Sequence, residues 1–435
     1  MDNTTIGIVA TLCGLVLIAL RIQIGVAFGI VSFFGIAAIA NMQAAWGIVT
    51  AVPFNFVGDW NLTAVPMFLL MGYVAYAAGL TTGLFTAMRV LLSRLPGGLA
   101  VASVGACALL AAASGSSVAT SAAMARIATP EMIRYRYDPG LASGVIASAG
   151  TLGSLIPPSI LMILYGYFAE VSIARLFIAG VVPGLISAAM FSIMIIGRAR
   201  ADPTLAPPVE ETFTREQKIA AFREVWPVPV LIIGVLVGIF IGIFTPTEAG
   251  AVGAFLAIVL AIARRSFSWA VLRDATMSTI VSTAGIFMVV IGTVLLGKLM
   301  ALSRLPTFLT EQLLVFGGDQ YSVILIVVVL YLILGMFLDS IGILLLTLPI
   351  LLPITRAVEI DLIWFGIILI KLLEIGLVTP PVGLNVYVMK GALGNLVSLP
   401  TIFRGVTWFI VTDLVTLTII ILFPILSLWL PGFME

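Results

Sequence analysis

Four short stretches carry residue types that could bind an ion or a polar solute. They are Ser114-Gly115-Ser116-Ser117, then Gly150, Thr151, Gly153 and Ser154 just ahead of Pro157-Pro158, then Asp339-Ser340, and finally Gly376 and Thr379 ahead of Pro380-Pro381. Glycine and proline interrupt helices. A helix ending at such a break leaves carbonyls unpaired, and one starting there presents free N–H groups. Carbonyl ends suit a small cation, and N-terminal ends suit an anionic group. Oxygen ligands without thiolate or imidazole favour a hard cation such as sodium. Ser159 and Asn385, just past the two Pro-Pro pairs, are placed to meet a carboxylate. Arg126 lies nine residues beyond Ser117, about 13 Å along a helix, where it either meets an anion or snorkels to the membrane surface.

Each of these residues also has a plainer use. Ser-rich small runs let helices pack closely in membranes, and a Pro-Pro pair can be only a kink. Asp339 is costly to bury and is a functional candidate by default, although a structural hydrogen bond would also account for it. Lys371 and Glu374, spaced i,i+3, can neutralise each other.

The elements that must position these residues are membrane helices. Of the 435 residues, 61% are apolar and only 9% are charged, against roughly 25% charged in ordinary soluble domains. A formal charge of +1 leaves no nucleic-acid footprint. The absence of histidine removes Ser-His-Asp and Cys-His chemistry and His-ligated metals. Cys13 and Cys107 sit in apolar runs without C-x-x-C spacing and read as small core residues. The nearest match to a phosphate-binding loop, Gly292 to Lys298, is followed by Leu299 where Ser or Thr would hold magnesium, and it lies within an apolar span. No enzymatic activity is expected.

Apolar runs fall near 5–20, 24–42, 62–82, 138–168, 173–197, 227–244, 248–263, 279–302, 358–390 and 403–431, and are read as ten crossings. The runs 138–168 and 358–390 are too long for one straight span and contain the Pro-Pro breaks. Two further segments, about 99–132 and 320–355, break centrally at Ser114–Ser117 and at Asp339-Ser340. Each half is then right for one arm of a re-entrant hairpin, whose irregular tip must be satisfied by protein or a water-filled cavity. The N-terminus has no basic n-region or cleavage site, so the first run is expected to be a retained span. With this map, fifteen of the 21 basic residues fall on one side and four, Arg175, Lys298, Arg304 and Arg356, on the other. The positive-inside rule then puts both termini in the periplasm. Residues 198–226 form the one strongly polar stretch, expected to be a cytoplasmic linker, and 84–95 and 304–316 read as interfacial amphipathic helices.

The chain also repeats. A shift of 220 lays Gly72 on Gly292 and Gly97-Gly98 on Gly317-Gly318. From residue 116 a shift of 223 lays Ser116-Ser117 on Asp339-Ser340, Pro130 on Pro353, Asp138 on Asp361, Gly153 on Gly376 and Pro157-Pro158 on Pro380-Pro381. Five crossings and one non-crossing hairpin per half make the second half (227–435) enter inverted relative to the first (1–197). Paired broken helices in inverted repeats are the mark of a secondary transporter, with the site where the breaks meet near the midplane.

The motifs ASGSSVAT (113–120), RIATPEM (126–132), ASAGTLGSLIPPSI (147–160), GIFTPTEAGAV (242–252), GMFLDS (335–340) and EIGLVTPPVGLNVYV (374–388) together resemble the large membrane subunit of tripartite ATP-independent periplasmic (TRAP) transporters. The resemblance runs over essentially the whole chain. It implies an all-α, two-hairpin elevator fold of the ion-transporter superfamily in the bacterial inner membrane, surrounded by lipid. It also implies sodium-driven uptake of an organic anion, a periplasmic substrate-binding protein, and a smaller four-span membrane subunit. That subunit is expected as a separate chain, because the first repeat begins almost at residue 1. Carried over by position, the two sodium sites would fall on Ser114–Ser117 with Gly150–Ser154, and on Gly335, Asp339 and Ser340 with Gly376 and Thr379. Lys371 departs from the family pattern, which leaves pairing with Glu374 and contact with substrate both open. A stand-alone sodium/anion symporter of the same superfamily, and a channel or structural membrane subunit, are the competing readings.

Overall fold

A computed structural model describes residues 2–208, 213–317 and 319–434, and every regular element among them is helical. Gly318, part of one repeat match, and 209–212 of the polar stretch lie outside the described residues. The first half comprises α1 (Asn3–Ala19), α2 (Ile24–Ile39), α3 (Met42–Val57), α4 (Ala64–Ala77), α5 (Leu84–Leu92), α6 (Gly98–Ser114), α7 (Ser117–Arg134), α8 (Pro139–Ala149), α9 (Ile160–Ala169) and α10 (Ile173–Ala201). The second comprises α11 (Arg215–Val225), α12 (Pro227–Phe240), α13 (Pro246–Ala263), α14 (Trp269–Ser303), α15 (Leu305–Gly317), α16 (Gln320–Gly335), α17 (Ser340–Ala357), α18 (Leu362–Gly376), α19 (Leu384–Leu393) and α20 (Leu399–Leu422).

Six helical stretches among the described residues are long and apolar enough to cross a bilayer unaided: Trp60–Ala77, Ile173–Ala201, Pro246–Ala263, Trp269–Ser303, Ser340–Ala357 and Leu399–Leu422. The segments expected to be broken are broken. α6 and α7 pack as a helical hairpin, as do α16 and α17, and α8–α9 and α18–α19 are each interrupted before and through their Pro-Pro pair. A shift of 223 maps the bounds of α7 onto those of α17. The C-terminal arms are longer than a half-span because α7 runs on through Pro130 and α17 through Pro349 and Pro353.

Three features differ from the sequence map. α3, with Asn41 capping the Ala44 amide, is an additional apolar helix. The run at 403–431 ends as a helix at Leu422, where Phe423 leaves helical geometry ahead of Pro424. The polar stretch 198–226 contains α11, which packs on α5, and Arg264 donates to the Glu224 carbonyl at its end at 2.5 Å. α11 starts at a Thr214/Gln217 capping box, which satisfies two N–H groups at the helix start.

Each hairpin rests on parts of both broken helices. α7 packs on α8 and α19, while α17 packs on α18 and α9. Missing side chains allow this. At Gly335 of α16 a Cβ would come within 2.7 Å of the Gly376 Cα of α18, and the first broken helix is likewise held close to α20, where a Cβ at Gly144 would come within 2.5 Å of the Gly405 backbone. Around this inner group, α14 packs on α2 and α4, and α13 on α4 and α12.

The loops sort onto two faces. Asp59–Asn61, Gly166–Ile173, Thr245–Thr247, the end of α14 with Thr307, and the end of α17 line one cavity of about 1100 Å³. α10 and α13 both begin at this cavity and carry Arg198, Arg200 and Arg264 at their far ends. Arg89 binds Glu131 at 2.7 Å and the Tyr135 hydroxyl at 2.6 Å.

A buried ionic cluster pins the second broken helix. Lys371 on α18 lies 3.0 Å from Glu374 on the same helix and 2.6 Å from Asp413 on α20, and all three side chains are fully enclosed. Phe191 of α10 faces the ammonium, ring centroid to Nζ 5.7 Å. The Lys371–Glu374 pairing is the one its spacing offers, and Asp413 joins it from 42 residues away. Removing one partner of such a cluster strands a charge in a low-dielectric interior. Lys371→Met is therefore expected to destabilise the protein by about 3–5 kcal/mol, read as a clear fall in thermal unfolding temperature in detergent. An unchanged unfolding temperature would show that the cluster does not hold α18 to α20.

Candidate functional site at the hairpin tips

The first hairpin tip is shaped by one glycine and two serines. Gly115 ends α6 in the left-handed region (φ 61°), where a Cβ would stand 2.9 Å from the Pro158 carbonyl oxygen. Ser116 is extended and caps α7 by accepting from the Ala119 amide. Ser117, one residue on, donates to the Thr151 carbonyl at 3.1 Å and shares a hydrogen bond with the Ser154 hydroxyl at 2.7 Å. Ser114 and Thr120 hydroxyls are 2.9 Å apart across the tip. Gly153 lies flat on the Ser116–Ser117 peptide, with a virtual Cβ 3.0 Å from it, and Gly150 lies against Ser121. Thus Ser114–Ser117 and Gly150–Ser154, separate in sequence, form one oxygen-rich junction. Pro157 and Pro158 close it from below and are buried.

Ser121 also belongs to this junction, packed against Gly150, although it stands outside the four ligand-bearing stretches of the sequence. Its hydroxyl is buried and without a hydrogen-bond partner among the described residues. The signal was there: Ser121 sits four residues after Ser117, on the same helix face.

The second junction is looser. Gly335 and Gly376 touch, and the Val382 amide donates to the Met336 carbonyl at 3.3 Å. Asp339 is half-buried and caps α17, its carboxylate accepting from the Gly342 amide at 3.0 Å. The Thr379 hydroxyl turns back to the Ile375 carbonyl at 2.6 Å. Among the described residues no hydrogen bond joins Asp339 or Ser340 to Gly376 or Thr379, and Pro380 and Pro381 are exposed. The tip and the break are neighbours here, without the serine contacts that lock the first pair.

The three residues placed near substrate do not share one surface. Arg126 is exposed and lines a cavity of about 210 Å³ with Gly72, Tyr73, Tyr76, Ser114 and Ser116. Its nine-residue offset therefore leaves it within the same opening as the hairpin tip. Ser159 and Asn385 are enclosed and do not line that cavity. The Asn385 amide donates to the Ala147 carbonyl at 3.3 Å, so it ties the second broken helix to the first. Its Oδ1 and the Ser159 hydroxyl have no partner among the described residues.

Comparison with known proteins places this architecture. The family model for the DctM component of tripartite ATP-independent periplasmic transporters matches residues 11–426. The chain is 35% identical to the C4-dicarboxylate TRAP transporter large permease protein DctM of Pseudomonas aeruginosa, over 86% of this chain and 87% of that protein. It is 33% identical to the isethionate TRAP transporter permease protein DctMQ of Oleidesulfovibrio alaskensis, over 86% of this chain but 59% of that longer protein. Among solved structures, the YdaH transporter of Alcanivorax borkumensis shares the fold, with a TM-score of 0.61 at 14% identity over 90% of this chain and 89% of that one. The chain belongs to the DctM family, the large membrane component of tripartite ATP-independent periplasmic transporters.

Proposed function

We propose that this protein carries out sodium-coupled uptake of a small organic anion across the bacterial inner membrane. A periplasmic binding protein delivers the anion, and a small four-span subunit completes the membrane unit. One observation carries the reading: the Ser114–Ser117 tip closes on the Gly150–Ser154 break and opens beside a cavity that contains Arg126. That junction supplies the donor set a hard cation takes, hydroxyl and carbonyl oxygens. The unpartnered Ser121 hydroxyl at its edge fits the same role. Asp339, Ser340, Gly335, Gly376 and Thr379 are assigned the second cation, and their looser arrangement suits a site that tightens when loaded.

The coupling follows from charge. The membrane interior offers an incoming anion few cations, so an ion bound at each tip lowers the cost of burying the anion nearby. The hairpins, the broken helices and the helices packed on them, α10 and α20, move as one body against α2, α4, α13 and α14. The names of the relatives, dicarboxylate in one and isethionate in the other, support a carboxylate or a similar small anion as cargo.

Uptake by proteoliposomes containing all three components should require an inward sodium gradient, and full uptake without sodium would overturn the coupling. Ser117→Ala removes two of the contacts that close the first junction and should raise the half-saturating sodium concentration about tenfold. Asp339→Asn should likewise weaken sodium activation, and an unchanged sodium dependence would remove Asp339 from the site. Arg126→Gln should raise the KM for the anion while leaving half-saturating sodium in place. Should KM stay constant, Arg126 is only a surface charge.

A further inference from the structure

The cavity of about 1100 Å³ on the opposite side of the hairpins has no part in the tip sites. It lies between α14, the base of α17 and the turn joining α9 to α10, and its walls include Tyr167, Phe168 and Leu352. Three cations converge in it: Lys298, Arg304 and Arg356. These are three of the four basic residues that the positive-inside map leaves on the outer face, so the positive charge of that face is gathered into one concavity. Concave sites with apolar walls focus such charge.

The acids of the cavity are already engaged. Glu170 pairs with Arg356 at 3.7 Å, and Arg356 also donates to the Ala169 carbonyl at 3.2 Å. Asp59 accepts from the Asn61 amide at 2.9 Å. Lys298 and Arg304 are exposed and have no ion pair or hydrogen-bonding side-chain partner among the described residues. Lys298 projects from the last turns of α14, and Arg304 ends that helix with a left-handed backbone (φ 55°) that turns the chain into α15. Two uncompensated cations six residues apart, about 9 Å along the helix axis, in a cavity with room for a small solute, make a site for an anion.

We propose that this cavity is a second anion-binding site, a vestibule that captures the carboxylate or sulfonate group of the cargo through Lys298 and Arg304 before it reaches the hairpin tips. Glu170 competes with the cargo for Arg356 and so sets how tightly the vestibule holds. The site rests on the uptake reading for its cargo, but it differs in one testable respect: it uses side-chain cations and needs no sodium.

The test is anion binding in sodium-free choline buffer, followed by saturation-transfer NMR of succinate and of isethionate on the purified membrane protein. Wild-type protein should bind at least one of the two probes without sodium, and added choline chloride should weaken the binding. The double variant K298Q/R304Q should raise the apparent Kd about tenfold, K298R/R304K should stay near wild type, and E170Q should tighten binding. In uptake assays the double variant should leave half-saturating sodium unchanged. Binding that needs sodium, or that K298Q/R304Q leaves intact, would overturn the vestibule. Intact anion binding with lost association of the periplasmic binding protein would assign the two residues to protein docking and overturn it as well. Lys298→Cys on a Cys13→Ser background should react with a membrane-impermeant maleimide in whole cells, and labelling confined to inverted vesicles would refute the outward placement. Wild-type uptake that ignores sodium would instead strike down the uptake reading, while leaving sodium-free binding to stand or fall by itself.

Discussion

Backbone that leaves a helix at membrane depth must find partners from protein, since lipid offers none. This chain leaves helical geometry at two hairpin tips and at two Pro-Pro breaks, and most of what is specific about it lies there. The first hairpin tip meets it with serine hydroxyls, which bond a carbonyl and a hydroxyl of the facing break. The second meets it with an aspartate cap and a glycine–glycine contact. Glycines are needed where two irregular backbones come within van der Waals distance, as at Gly335 and Gly376, because any side chain there would force them apart.

The two junctions are equivalent in sequence position but unequal in closure. The first Pro-Pro pair is buried and the second is exposed. A closed junction has its oxygens turned on one another, whereas an open one has its oxygens turned back onto its own helix, as at Thr379.

Charge is used sparingly and in two distinct ways. Lys371, Glu374 and Asp413 are enclosed together and serve packing, joining α18 to α20 under the second break. Arg126, Lys298, Arg304 and Arg356 instead line water-accessible cavities on the two sides of the hairpins. A membrane protein can place a cation in either setting, but only a cavity lets that cation exchange partners.

The sequence by itself determined the helical class, the positions of the two hairpin tips and the two Pro-Pro breaks, and most of the residues that stand at them. Composition fixes burial in lipid, and glycine, proline and serine act on their own neighbours through local sterics and capping. Hence 114–117, 150–158, 339–340 and 376–381 were all legible, and the family motifs lie on those same positions. Tertiary structure alone decided three things. It brought Asp413 to Lys371 from α20, it enclosed Asn385 against the Ala147 carbonyl instead of turning it to a cavity, and it gathered Lys298, Arg304 and Arg356 around one opening. Each depends on how distant helices pack, and a long-range contact leaves no mark in the spacing of residues along one helix.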